Sequence, residues 1–299
     1  MATPGDRALL TVRELGSWLD RDVGPALREE TEAVAHGGTA LTMLRLKAST
    51  KDVDFGFRAG EDFERFVAAL KATGYRVTRD FRPNPRETYL RLERRGPLVS
   101  AVDLRFPTWN NWRLTELVLR RARVIPYGQV RVVVPDRDAL FLFKTYPLRE
   151  TDLDDLRAIL RVSPPDQARV IALFDEQDAI HRSELLAETI HEPLLNILEL
   201  RVRFAASLRL LGPSYRRRIP RIARRARIRF GELQLRPSLT DLIRRLRTTE
   251  GVMTWEDVMA ESGDRLRERL TKGETRTRAR SGTTSTRSKR RPNRPPRGD

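Results

Sequence analysis

Two carboxylates two positions apart, Asp52 and Asp54, stand in the run Ser49-Thr50-Lys51-Asp52-Val53-Asp54. On an extended strand successive side chains point to opposite faces, so the two project from one face roughly 6.6–7 Å apart along the backbone. Like charges that close are unfavourable unless a cation lies between them. Magnesium takes hard oxygen ligands of this kind while keeping waters and substrate phosphates. The pair therefore predicts a divalent metal. Upstream, Gly37-Gly38-Thr39 opens a helical pattern. Free backbone N–H groups and the positive end of a helix dipole attract phosphate there, and only glycine lets the backbone approach closely. A metal-bound triphosphate fits both features.

The elements that must hold these residues are readable from apolar spacing. Residues 11–32 read as helix, with Leu15, Trp18, Leu19 and Val23 in phase until Gly24-Pro25 interrupts. A short strand at Ala33–His36, the glycine turn and a helix over Thr39–Lys47 follow. Asp52–Phe57 alternates like a strand, and Asp62–Thr73 is a helix with Phe63, Phe66, Val67 and Leu70 on one stripe. Strand-like stretches at Tyr75–Thr78, Thr88–Glu93 and Leu98–Phe106 make a mixed sheet. Val130–Val134 is a buried strand, after which Asp136 stands where the helix Arg137–Thr145 wants its N-cap. A helix over Asp152–Leu160 ends at Ser163-Pro164-Pro165-Asp166, which sets a domain boundary. Beyond it, Gln167–Phe174, Ser183–Leu211 and Leu239–Leu246 all show helical spacing. Residues 271–299 hold no aliphatic side chain except Ala279, so nothing there offsets the entropy of ordering, and a disordered tail is expected.

The glycine turn, short helix and Asp-hydrophobic-Asp strand together resemble the nucleotidyltransferases of the DNA polymerase β superfamily. The minimal type and the AbiEii-like abortive-infection toxins are the most similar branches. The resemblance extends to about residue 160 and implies an α/β (α+β) nucleotidyltransferase domain with a mixed sheet over residues 1–165; the helical spacing and composition beyond it give an all-helical Arg-rich domain over 166–270 and a disordered basic tail over 271–299. The resemblance also implies two Mg²⁺ ions held by Asp52, Asp54 and a third carboxylate on a later strand. That third position is matched by Asp103 in Val99-Ser100-Ala101-Val102-Asp103-Leu104-Arg105, where Asp103 would also help deprotonate the acceptor. The alternative for Asp103 is a salt bridge with Arg105 or a neighbouring arginine. The resemblance further places Lys144 on the triphosphate of an NTP such as ATP, and Arg149 and Asp152, ahead of Asp155, around the nucleotide, with Gly37, Gly38 and Thr39 at its phosphates. Thr151 departs from the pattern, standing where a second basic residue is usual. Gly38 stands where many catalytic members have Ser, and the Gly form is usual in the toxin-like branch.

Charge indicates a partner. The net +17 is segregated, since residues 201–247 hold 15 Arg against Glu232 and Asp241 and residues 271–299 carry a further +8. Clustered cations displace counterions from a phosphate backbone, so an RNA acceptor such as tRNA is expected on Arg216, Arg217, Arg218, Arg221, Arg224, Arg225, Arg227 and Arg229. A solvated arginine-rich face is the bland alternative. With no Cys, disulfides, thiolate zinc and a cysteine nucleophile are excluded. His36, His181 and His191 are too scattered for a histidine metal cage, and read as a hydrogen-bonded strand end and two surface residues. Trp109, Trp112 and Tyr127 read as core next to the sheet. No run is long and apolar enough for a bilayer, and the start lacks signal-peptide order, so a cytoplasmic protein without membrane contact is expected. The resemblance adds a toxin role with a cognate antitoxin. The competing functions are a catalytically silent nucleic-acid-binding version of the fold and transfer of AMP to a protein hydroxyl.

Overall fold

The computed structural model describes residues 9–84, 87–95, 98–109, 111–187, 192–247, 258 and 263–272. The chain opens with α1 (Val12–Trp18), whose Thr11 and Glu14 form a reciprocal capping box. It continues through a π-type turn to Val23 and a tight 3₁₀ turn at Gly24–Ala26, so the predicted 11–32 helix ends at its Gly-Pro break. β1 (Thr31–Ala35), α2 (Gly37–Met43), β2 (Val53–Gly56), α3 (Gly60–Ala72), β3 (Arg76–Asn84), β4 (Glu87–Glu93) and β5 (Ala101–Phe106) follow. A small ribbon, β6 (Thr108–Trp109) and β7 (Trp112–Arg113), leads through α4 (Glu116–Leu119) to β8 (Arg123–Tyr127) and β9 (Val130–Val134). After α5 (Arg137–Lys144) and α6 (Glu150–Val162) come α7 (Gln167–Ala187), α8 (Glu192–Leu210), α9 (Pro213–Arg216), α10 (Pro220–Gly231) and α11 (Leu239–Arg247).

Among the described residues the main sheet has seven strands in the order β3-β4-β5-β2-β1-β9-β8. It is mixed: β2 runs parallel to β5 and β1 parallel to β9, while the other neighbours are antiparallel. The β-branched run Val130–Val134 forms β9 as expected, and Asp136 caps α5 by accepting from the Ala139 N–H at 2.8 Å. β3 reaches Asn84, past the expected Thr78, because it is an edge strand and tolerates the charged, Pro83-containing sequence that hides its alternation. β8, the other edge, alternates too weakly to be seen in sequence.

One buried apolar cluster runs from Leu10 to Ala226 and so crosses residue 165, joining Phe55, Phe66 and Leu104 of the sheet layer to Leu173, Phe174 and Phe204 of the helices. A second cluster, including Leu185, Ile197, Leu198 and Leu242, lies wholly beyond residue 165. Every named element after residue 165 is a helix. Between α7 and α8, Asp178 receives two bonds from Arg201, at 2.6 and 2.8 Å, and both side chains are buried. His181, expected on the surface, is buried with Nε2 on the Asn111 carbonyl at 2.9 Å, because α7 packs that face against the β6–β7 ribbon. His191 and the predicted tail from residue 273 onward lie outside the described residues. No helix among the described residues is long and apolar enough to cross a membrane.

Candidate active site

Register assembles the carboxylates. Asp54 lies directly opposite Asp103 on the parallel pair β2 and β5. Asp52 immediately precedes β2 and shares the face of Asp54. On the far side of β5, antiparallel β4 sets Arg91 opposite Asp103. The glycine turn is pressed against this row. Gly37 has a φ of +54°, and a Cβ on it would lie 2.4 Å from Asp54 Oδ2. A Cβ on Gly38 would lie 2.4 Å from Thr50 Oγ1, so both glycines are required for close approach.

Gly37→Ala is accordingly expected to cost about 1–2 kcal/mol for the left-handed backbone. It should also displace Asp54, and a misplacement of about 1 Å can cost of order 10²-fold in rate. A denaturation curve and a turnover assay on the same preparation check the two effects separately.

A cleft of about 660 Å³ opens over the row. It brings together Gly37, Gly38, Asp52, Asp54, Asp103, Lys144, Arg149 and Asp152, drawn from α2, the β2 and β5 region, α5 and α6. Thr39 is the exception among the expected residues. Its side chain is buried below the cleft, accepting from the Asp54 N–H at 2.9 Å and donating to the Asp52 carbonyl at 3.3 Å. It fastens α2 to β2 and does not line the cleft, because the first turn of α2 faces β2.

The opposite wall is a network of charge. Lys144 Nζ lies 2.9 Å from Asp152 Oδ1 and 2.6 Å from Asp155 Oδ2, while Lys47 Nζ reaches Asp155 Oδ1 at 3.2 Å. Arg149 clasps Asp152 through Nε at 2.6 Å, and its own side chain is 71% exposed at the cleft. Burial alone would push Asp152 up, yet the bonds and charges of Arg149 and Lys144 hold it below the usual carboxylate range. Asp54 behaves oppositely. Burial in the cleft, then the Asp103 charge, and to a lesser extent Asp52, push its carboxyl up to about 7, against the pull of Lys144 and Arg149.

Sequence reading missed Arg91, Tyr89 and Lys47. Arg91 Nη1 donates to Asp103 Oδ2 at 2.8 Å and Oδ1 at 3.0 Å, Nη2 to Asp52 Oδ1 at 3.2 Å, and Nε to Glu93 Oε1 at 2.8 Å. The Tyr89 hydroxyl donates to Asp103 Oδ1 at 2.8 Å. The partner of Asp103 is thus Arg91, a neighbouring arginine, and not Arg105, whose guanidinium lies over the Tyr89 and Trp109 rings. The available signal was alternation: Tyr89, Arg91 and Glu93 fall on one face of β4 and Leu90 and Leu92 on the other.

His36, expected to be hydrogen-bonded, is fully buried with no hydrogen-bond partner on either ring nitrogen among the described residues. It stacks on Trp109 at 4.2 Å with the ring planes nearly parallel, and burial, helped by the Arg105 charge, pushes it down to about 3, so it is neutral. Trp112 is core, Tyr127 is half-buried, and Trp109 is largely buried with an edge at the cleft.

The basic helices also divide. Arg217, Arg218, Arg221, Arg224 and Arg227 are exposed. Arg225 and Arg229 turn inward, where Arg225 pairs with Asp175 of α7 at 2.6 Å and Arg229 with Asp175 at 3.3 Å and Glu232 at 3.0 Å. These two were expected on a phosphate surface and instead fasten α10 to α7.

The sequence matches no protein family and no curated protein. The chain is similar to a crystal structure described as a candidate nucleotidyltransferase from H. pylori, with 14% identity, a TM-score of 0.34, and coverage of 75% of this chain and 98% of that chain.

Proposed function

We propose that the cleft transfers a nucleotidyl group from a nucleoside triphosphate to the hydroxyl of an RNA acceptor. The observation that carries this reading is the row Asp52, Asp54 and Asp103 on one face of β2 and β5, facing the cationic wall of Lys144 and Arg149 across a single cleft. Hard oxygen donors with unbalanced negative charge at Asp54 fit magnesium. Among the described residues no three or more carboxylate or histidine side chains form a cage for an ion. Magnesium commonly needs only one or two carboxylates, the rest of its shell coming from water and substrate phosphates. Asp54 and Asp52 would hold it, and when bound it supplies Lewis-acid stabilisation of charge on the transferring phosphate.

The chain's own residues do the rest. The acceptor oxygen forms a bond to the α-phosphorus as the bond from that phosphorus to the oxygen bridging the β-phosphate breaks, and pyrophosphate leaves. Asp103, across the ladder from Asp54 and oriented by Tyr89 and Arg91, takes the hydroxyl proton. Arg149, exposed at the cleft, is placed to draw the triphosphate in, while Lys144 fixes Asp152 and Asp155 behind it.

The exposed arginines of α10 and the turn before it support an RNA acceptor. Arg216, Arg224 and Arg227 also rim an apolar hollow of about 340 Å³ with Leu208, Phe230 and Leu239 in its lining. An unpaired base with its phosphates on the rim suits that chemistry. RNA affinity should fall with salt with a log–log slope of about −0.7 per phosphate contacted on a single strand. Charge reversal at Arg217, Arg218 and Arg221 should flatten the slope with the melting temperature unchanged. Reversal at Arg225 or Arg229 should lower the melting temperature instead. Equal slopes in the wild type and the triple variant would remove this surface from acceptor binding. For the acceptor itself, product labelled from an α-labelled triphosphate and total cell extract should be sensitive to ribonuclease and resistant to protease. The reverse pattern would assign the chemistry to a protein hydroxyl.

A further inference from the structure

The resemblance implies two ions on Asp52, Asp54 and Asp103, yet Asp52 and Asp103 already share a cation from the chain itself. The Arg91 guanidinium spans the two carboxylates, with Nη1 bound to both Asp103 oxygens and Nη2 to Asp52 Oδ1. Its side chain is 13% exposed, and its third edge is fixed by Glu93. Tyr89 occupies the remaining approach to Asp103 Oδ1. A guanidinium is planar, permanently charged and matched to bidentate carboxylate contact, so four bonds at 2.8–3.2 Å hold it with little freedom to withdraw. Asp54 makes no ion pair with Arg91, and of the three carboxylates it is the one whose negative charge the arginine does not meet directly.

We propose that Arg91 is a built-in replacement for the acceptor-side ion, so that this cleft takes one divalent cation, on the Asp54 and triphosphate side. The inference rests on the transfer reading above. Arg91 then lies beside the acceptor oxygen, where it stabilises the negative charge that develops as Asp103 takes the proton. A substituted ion of this kind makes the acceptor half of the site independent of metal concentration, and only triphosphate binding should follow the divalent ion.

Equilibrium dialysis of the full chain with Mn²⁺ and a non-hydrolysable triphosphate counts the ions bound per bound triphosphate, after subtraction of the analogue alone. The wild type should bind one, and Arg91→Gln, which removes the cation shared by Asp52 and Asp103, should bind two. Arg91→Lys, which keeps a cation there, should stay at one. Two ions in the wild type, or one in a folded Arg91→Gln protein, would overturn the proposal while leaving transfer intact. No bound ion in the wild type would overturn the transfer reading and this one with it. If Arg91→Gln fails to fold, the wild-type and Arg91→Lys counts still decide, since two ions in either contradicts a resident cation.

Discussion

Asp54→Asn should abolish nucleotidyl transfer while leaving the metal-free protein as stable as before, or more so, at neutral pH. The first effect follows from the position of Asp54, pressed against Gly37 and set opposite Asp103 at the floor of the cleft. Loss of a preorganised electrostatic contact to the reacting group costs of order 10²–10³-fold in rate, and loss of the cation as well should exceed that. The second effect follows from proton linkage. The folded-state value of Asp54 is pushed up to about 7, whereas an unfolded aspartate titrates near 3.9, so the native state binds the extra proton between those limits. Stability from this group is therefore greatest at the acid end of that range and declines as pH rises toward 7. Asparagine removes the decline. Thermal melts at pH 5 and pH 7.5 in chelator should show a smaller pH difference for the variant. A variant that unfolds, or one that keeps full turnover, would return Asp54 to a structural role.

Arg201→Met should be the most destabilising single change among those considered. Arg201 and Asp178 are 1% and 0% exposed, and Arg201 also reaches Glu232 Oε2 at 3.0 Å. Removing Arg201 leaves the buried Asp178 with Arg182 Nε at 3.3 Å but without its two-bond partner, and breaking a buried pair of this kind costs about 3–5 kcal/mol. Double replacement, Arg201→Met with Asp178→Leu, should recover much of that loss, because the buried carboxylate is then removed together with its main partner. The pair also sets acid sensitivity. Burial alone would push Asp178 up, but the Arg201 hydrogen bonds and charge hold it below the usual carboxylate range. A depressed value contributes stability above the unfolded value near 3.9 and loses it as pH falls through the folded one. Acid unfolding should therefore begin at higher pH in Asp178→Asn than in the wild type. Urea titrations of the three variants measure the difference, and equal midpoints would show the pair to be energetically idle.

What was legible in the sequence was local. Asp52 and Asp54 announce themselves by the two-residue period of a strand, and Val130–Val134 by β-branching. Asp136 is marked as a cap by the proline before it and the apolar period after it. The stripe of α3 was equally plain. What was not legible depends on register between distant segments. Asp103 meets Asp54 only because β5 slides parallel to β2, and Arg91 meets Asp103 only because β4 returns antiparallel. No local pattern encodes either offset. The same limit explains His181 and Arg225, which look like surface residues on helices and are claimed by Asn111 and Asp175 from other elements. Edge strands were underestimated for a different reason: with one side unpaired, β3 and β8 need not alternate cleanly.

The proposed nucleotidyl transfer depends on the row on β2 and β5. Its most direct test is incubation of the wild type and Asp54→Asn with each α-labelled triphosphate, Mg²⁺ and total RNA, following label in RNA and pyrophosphate released. Label in RNA matched by pyrophosphate in equal amount is expected for the wild type, with both lost in chelator and in the variant. Absence of label from every triphosphate with folded wild-type protein, or label that persists in Asp54→Asn, would contradict it.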